Sequence, residues 1–373
     1  MGADKLRSLI QEVLSPAGIN INGNQPWDIR INDERFYQRV LSDGSLGLGE
    51  SYMDGWWECE NLDDFFCRLL PTQPENKIKK NWRLLLHILN AVILNRGCKS
   101  RAFQIGERHY DMGNELYKNM LDKRMVYSCA YWKDAKSLDE AQEAKLDLIC
   151  RKLDLRPRDK ILDIGCGWGG FAKYAAEKYK VEAVGITVSK EQVELGKELC
   201  KGLPVEIRLQ DYRDIHGEFD HIVSVGMFEH VCYKNYRTYM ETVKQCLKDN
   251  GLFLLHTIGD IRSQVTTDPW FGKYIFPNSL IPSMKQISAS IEGLFIMEDL
   301  HNFGADYDAT LIEWFKNFDK NWDKLKERYD ERFYRMWKYY LLSSAGAFRS
   351  RCVQVWQIVL SKRGVPGGYH AVR

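Results

Sequence analysis

Residues 160–170, KILDIGCGWGG, set a short apolar run directly against a cluster of glycines. That junction narrows the folds open to the chain more than any other feature. Gly165, Gly167 and Gly170 satisfy G-x-G-x-x-G, a spacing that lets the backbone turn sharply and come close to a ligand. A helix starting there presents free N–H groups to it. Phe171, Tyr174 and Ala175 then recur at helical spacing, which predicts a helix over 170–179. VEAVGI (181–186), VEIRLQ (205–210), FDHIVSVG (219–226) and GLFLLHTI (251–258) read as strands, with a helix over 189–200. Strands alternating with helices predict a parallel sheet with helices on both faces. Helical signal returns over 309–347, and VQVWQIVLS (353–361) reads as a last strand.

By itself the glycine spacing is a weak signal. A dinucleotide loop wants an acid about 20 residues on, to hold a ribose, and VGITVS (184–189) contains none. Asp163 also precedes the first glycine, giving D-x-G-x-G-x-G. That spelling resembles the first motif of class I S-adenosylmethionine (SAM) methyltransferases. On the strand pattern alone, a nicotinamide oxidoreductase remains the alternative.

Other functions are excluded or narrowed by composition. A chain of 373 residues suggests about two domains. Its 53 Lys+Arg against 51 Asp+Glu provide no global field for nucleic acid. The most apolar stretch, LLLHILNAVIL (84–94), is too short to span a bilayer, and the N-terminus has no signal-peptide apolar region. Ten cysteines form no C-x-x-C pair and there is no HExxH, so no metal site is expected and the thiols read as reduced in a cytoplasm.

The first hundred residues differ in character. ERFYQRVL (34–41) predicts a short amphipathic helix, and DGSLGLGESYMDGWW (43–57) reads as tight turns with aromatic packing, Trp56 and Trp57 in the core. Pro71 and Pro74 break the chain before a helix over 82–95. Between 68 and 108, nine Lys or Arg face only two Glu. Cations flanking an apolar helix are the pattern of a segment that lies on an anionic membrane; a solvated linker face is the alternative.

Six segments, read in order, resemble one family, the cyclopropane-fatty-acyl-phospholipid synthases. They are GLGESYMDGWWEC (47–59), HYDMGNELY (109–117), YSCAYW (127–132), LDIGCGWGG (162–170), VSVGMFEHV (223–231) and HNFGADYDATL (301–311). The likeness runs from about residue 17 to 373, whereas mycolic acid cyclopropane synthases resemble only the catalytic part. It implies an α/β class I SAM-dependent methyltransferase fold, a Rossmann-like seven-stranded and mostly parallel sheet, with a smaller lipid-binding domain. The implied boundaries are 1–96 for that N-terminal domain, 97–108 for a linker and 109–373 for the catalytic domain. The implied enzyme is cytoplasmic, peripheral to the inner face of a bacterial membrane, and dimeric. It adds the SAM methyl across a cis double bond of a phospholipid acyl chain, closing a cyclopropane ring with the help of a bound bicarbonate. One departure stands out: Cys232 and Tyr233 follow Val231 where the family usually has Gly-Pro.

The chemistry explains why such residues are needed. An alkene is a weak nucleophile that no base can activate, so positioning against the sulfonium matters most. The resulting carbocation must lose a proton from the new methyl without being captured by water. The resemblance places Cys129, Glu229, His256 and Tyr307, with the Ile258 N–H, around the bicarbonate: Glu229 orienting it, the others donating. For SAM it implies Gly165 and Gly167 at the methionine moiety, Tyr127 and Ser128 at the carboxylate, Thr187 and Gln192 at the ribose, Asp211 and Tyr212 at the adenine, and Asp163 as a further cofactor-binding residue. His109, Tyr110 and Asp111 are assigned to a lid. Three competing readings remain: a methyltransferase that leaves a methyl branch on the lipid, one acting on another small molecule or nucleic acid, and a catalytically silent lipid-binding protein.

Overall fold

The computed structural model describes residues 3–74 and 112–373. The expected helix over 82–95, the linker, His109–Asp111 and nearly all of the basic segment lie outside them. The described residues cluster into two compact units. The first takes those before residue 95 together with 265–277 and 307–353; the second takes the rest.

In the first unit, β1 (Arg30–Ile31) pairs antiparallel with β2 (Trp57–Glu58). Trp57 is fully buried, its ring 5.1 Å from Tyr52 and 5.4 Å from Phe65. Trp56 is only half-buried and carries the Arg35 guanidinium at 4.5 Å. The expected tight turns are replaced by a helix, Ser45–Met53. Its glycines serve close approach rather than turning: a Cβ at Gly47 would stand 2.3 Å from the Arg39 carbonyl oxygen, and one at Gly49 would stand 2.3 Å from the Trp270 ring. Glu50, on the same helix, is buried and bonded by Arg39, by Lys273 (2.5 Å) and by Tyr274 (2.8 Å).

The expected 1–96 and 109–373 division is redrawn by a helix at Glu331–Arg349. It packs along Leu62–Leu69 so closely that a Cβ at Gly346 would stand 2.4 Å from the Asp63 carbonyl oxygen. Tyr339 meets Phe66 edge-on at 5.2 Å, and Arg349 bridges Asp63, Asp64 and Asp308. Late residues thus complete an N-terminal core, a long-range pairing with no local sequence signature.

The second unit holds the sheet: β3 (Lys160–Ile164), β4 (Glu182–Thr187), β5 (Val205–Leu209), β6 (Phe219–Val225), β7 (Leu247–Asp260), β8 (Ile296–Asn302) and β9 (Val353–Ser361). The order is β5-β4-β3-β6-β7-β9-β8. β5 through β7 run parallel and β8 lies antiparallel to β9. Alternation along the strands splits the core between the faces. Leu162, Ile164, Val184 and Ile186 pack with Tyr239, Met240 and Ile287, whereas Ile161 and Ala183 pack with Ile149, Phe171 and Ala175. β8 went unread because it is an edge strand, with Ile296, Met297 and Leu300 exposed and polar residues between them. Among the described residues, no helix is long and apolar enough to cross a membrane.

Candidate active site

At the carboxyl end of β3 the chain folds back over β4: the N–H groups of Gly165 and Cys166 both donate to the Ile186 carbonyl, at 2.9 and 3.0 Å. This needs φ of +82° at Gly165, where a Cβ would also stand 2.6 Å from Met227. Gly167 is likewise left-handed, at +56°. The helix Gly170–Tyr179 starts immediately after, as the glycine spacing predicts.

A cavity opens here, at the strand ends where open α/β sheets take ligands. All nine residues expected to bind SAM line it, supplied by four successive segments. Tyr127 and Ser128 come from the loop before the Leu138–Lys152 helix, and Asp163, Gly165 and Gly167 from the glycine turn. Thr187 and Gln192 follow β4, the Thr187 hydroxyl donating to Gln192 Oε1 at 2.6 Å. Asp211 and Tyr212 follow β5; the Asp211 carboxylate accepts the Arg213 N–H at 2.9 Å and fixes that turn. Trp168 closes another wall, its indole N–H donating to Asn114 at 2.8 Å. Asp163 is buried, and burial pushes its carboxyl up to about 7, against the pull of Lys145. His230 also lines the cavity, and burial pushes its imidazole down to about 4.

Reading the sequence missed Lys145 and Gln142. Lys145 is fully buried, lines the cavity and donates to Ser128 Oγ at 2.7 Å. Gln142 donates to the carbonyls of Val126 and Ser128, at 3.2 and 2.9 Å. A signal was available: Lys145 falls on the apolar stripe of its helix, four residues from Ala141 and Ile149 and three from Leu148.

None of the residues assigned to the bicarbonate is among those lining the cavity, although Cys129 and Glu229 directly adjoin Ser128 and His230, which do line it. Glu229 follows β6 in a short turn of 3₁₀ helix, and its Oε1 accepts the Ile258 N–H at 2.7 Å. This N–H, expected to donate to the ion, donates to Glu229 in the ion-free protein. Glu229 Oε2 is buried and makes no hydrogen bond of good geometry, although the Thr257 hydroxyl also acts on this carboxylate. Burial pushes the carboxyl up to about 7, opposed by the Ile258 N–H. His256, two residues before Ile258 on β7, is buried and held far below the ordinary imidazole value by burial. Its Nδ1 stands 3.3 Å from Gln357 Nε2, and its carbonyl accepts the Gly226 N–H at 2.9 Å, Gly226 itself lining the cavity. Cys129 is fully buried, and its thiol reaches the Ala130 carbonyl at 3.2 Å. Tyr307 belongs to the first unit, in the first turn of a helix, with its ring against Phe348 and Trp314. Cys232, three residues beyond Glu229, holds φ +68° and ψ 139°, a backbone region that suits glycine.

The model of the mycolic acid cyclopropane synthetase family matches residues 98–358. The cyclopropane-fatty-acyl-phospholipid synthase of Escherichia coli K12 is 53% identical, over 99% of this chain and 97% of its own length. The chain belongs to the mycolic acid cyclopropane synthetase family. Two solved members have the same class I methyltransferase fold. A mycolic acid cyclopropane synthase bound to S-adenosylhomocysteine (SAH) and CTAB is 30% identical with a TM-score of 0.65, and the Mycobacterium tuberculosis cyclopropane synthase MmaA2 is 27% identical with a TM-score of 0.66. Each covers 70% of this chain and 98% of its own. The likeness to the E. coli enzyme continues through N-terminal residues that the family model leaves out.

Proposed function

We propose that this chain is a SAM-dependent cyclopropane synthase acting on the cis double bond of unsaturated phospholipid acyl chains. The observation that carries the reading is the 53% identity to the phospholipid enzyme over 99% of the chain, N-terminal residues included. The cavity lined by Asp163, Gly165, Thr187 and Asp211 would take the methyl donor, with the glycine turn against its methionine end. SAM supplies an electrophilic methyl. The alkene π pair forms the new C–CH3 bond as the C–S bond breaks, leaving a carbocation on the acyl chain and SAH. A proton then leaves the new methyl, and its C–H pair closes the ring.

Bicarbonate is compatible with the residues present. A carboxylate oxygen buried without a well-placed donor, Glu229 Oε2, lacks what the ion's O–H provides. Bound there, bicarbonate would supply a weakly nucleophilic base for the departing proton. Glu229 would accept the ion's hydrogen bond, and His256, neutral because of its burial, would donate from the ring nitrogen that does not face Gln357. Cys129 is proposed as a further donor; Tyr307 is proposed on the resemblance alone. Keeping water from these groups protects the cation from hydration. The lipid substrate makes the chain a peripheral membrane protein in this reading, and the resemblance implies a dimer.

Incubation with trideuteriomethyl-SAM and vesicles of unsaturated phospholipid, followed by mass spectrometry of the acyl chains, tests the proposal. The expected product is a cyclopropane that has lost one deuterium. A saturated methyl branch or a labelled small molecule with the lipid untouched would replace the reading.

A further inference from the structure

Two lysines on the Leu138–Lys152 helix are completely buried, and they are treated differently. Lys152 has an ionic partner: Asp299 stands at 3.6 Å, and His301 Nδ1 at 3.1 Å. Lys145 has none. Its one hydrogen-bond partner among the described residues is the neutral Ser128 hydroxyl, and no carboxylate there lies within ion-pair distance. Asp122 and Asp163 act on it only from further away, and burial brings its ammonium down to about 8. A buried cation is costly unless an anion meets it. Lys145 and Ser128 both face the cavity, so the missing anion can come from its occupant. The only negative group of SAM is the carboxylate of its amino-acid end.

Ser128 makes the geometry directional. Its Oγ accepts from Lys145, which leaves its own proton free to be donated elsewhere. Gln142, one turn earlier on the same helix face, holds the carbonyls of Val126 and Ser128 and so fixes the segment carrying that hydroxyl. We propose that Lys145 is a positioning residue that makes Ser128 a hydrogen-bond donor to the carboxylate of the methyl donor and supplies the counter-charge for it. The inference rests on the cavity being the SAM site.

Calorimetry on the full chain tests it with two ligands: SAH, and 5′-methylthioadenosine, which lacks the amino-acid carboxylate. K145M should weaken SAH by at least about 10-fold, the scale of a lost hydrogen bond to a charged group. It should leave methylthioadenosine within about twofold, and raise KM for SAM more than it lowers kcat. Unchanged SAH affinity would overturn the proposal, and so would equal losses for both ligands, which would mean that Lys145 only supports the fold. Should K145M fail to fold, S128A carries the test: it must lose SAH selectively, and S128A binding both ligands as the wild type does would overturn the proposal equally. Wild-type protein that binds neither ligand would instead remove the reading of the cavity on which the inference rests.

Discussion

The nucleotide half of the cavity and the Glu229–His256 cluster both sit where the parallel strands end, yet their polar groups are settled in opposite ways. Around the nucleotide half most polar side chains are already paired, Thr187 with Gln192, Asp211 with the Arg213 backbone and Trp168 with Asn114, the exception being Gln142 Oε1 behind Ser128. Such a wall is preformed and changes little when a ligand arrives. In the cluster, Glu229 Oε2 and Gln357 Oε1 are buried without a hydrogen bond of good geometry. Buried polar atoms in folded proteins are nearly always bonded, so an unbonded carboxylate oxygen such as Glu229 Oε2 marks a place with room for a donor. The first region is organised for binding and the second holds unspent hydrogen-bonding capacity, which is what a site needs if its interactions are to be made during the reaction.

If that contrast holds, variants in the two regions must fail differently. Glu229→Gln should give the largest effect, lowering turnover by about 100-fold or more, the scale of losing one preorganised polar group. SAH affinity, measured by calorimetry, should stay within about twofold; a matching loss of affinity would merge the two regions into one.

Next comes pH. The Glu229 carboxyl is raised from 4.5 to about 7 in the fold. The stabilisation this gives is fully present below the unfolded value and is lost as pH rises through about 7. It amounts to roughly 3 kcal/mol for the ion-free protein. Asp163 is raised to about 7 as well and acts in the same window, so the informative quantity is the difference between wild type and Glu229→Gln. Melting followed from pH 4.5 to pH 8 should show wild type losing more stability than the variant. Parallel curves would mean that Glu229 is not carrying a burial penalty.

Gly165→Ala probes the preformed side. The left-handed backbone and the 2.6 Å approach to Met227 predict a stability loss of about 2 kcal/mol and weaker SAH binding. Cys129→Ser should be milder, about a 10-fold loss of turnover with SAH affinity kept, since serine still donates; an alkyl adduct on Cys129 in mass spectra would make the thiol a nucleophile instead. Cys232→Gly should have the smallest effect and the opposite sign, raising stability by up to about 1 kcal/mol in thermal melts as left-handed strain is relieved.

The same contrast governs what could be read from the sequence. The glycine turn and the strands around it are local: KILDIG and VEAVGI became β3 and β4 within a residue of expectation, and the 170–179 helix matched its predicted bounds. Ser45–Met53 was misread because its glycines answer to Arg39 and Trp270, neighbours that spacing cannot reveal. The Glu331–Arg349 helix was placed as helix but not with the N-terminal core, because that pairing spans most of the chain. In the site, the side chains expected at SAM all line one cavity, whereas Lys145 was overlooked because a lysine on an apolar stripe is usually solvated at its tip. The bond from the Ile258 N–H to Glu229 likewise has no trace in the sequence, because it joins residues 29 positions apart.

That last bond has an architectural side. β6 leaves the sheet at Val225, and Gly226 makes the closing backbone bond to His256. Two residues further along β7, the partner a continuing strand would have offered to Ile258 is replaced by the tip of Glu229. A side chain is standing in for main chain, stitching the frayed end of a sheet. Its length is therefore fixed by carpentry as well as by chemistry. Glutamine keeps the reach and the accepting oxygen. Aspartate, one methylene short, would drop the stitch and let the end of β7 loosen beside His256. At this position drift is restrained twice over, once by what the residue holds and once by what it holds up.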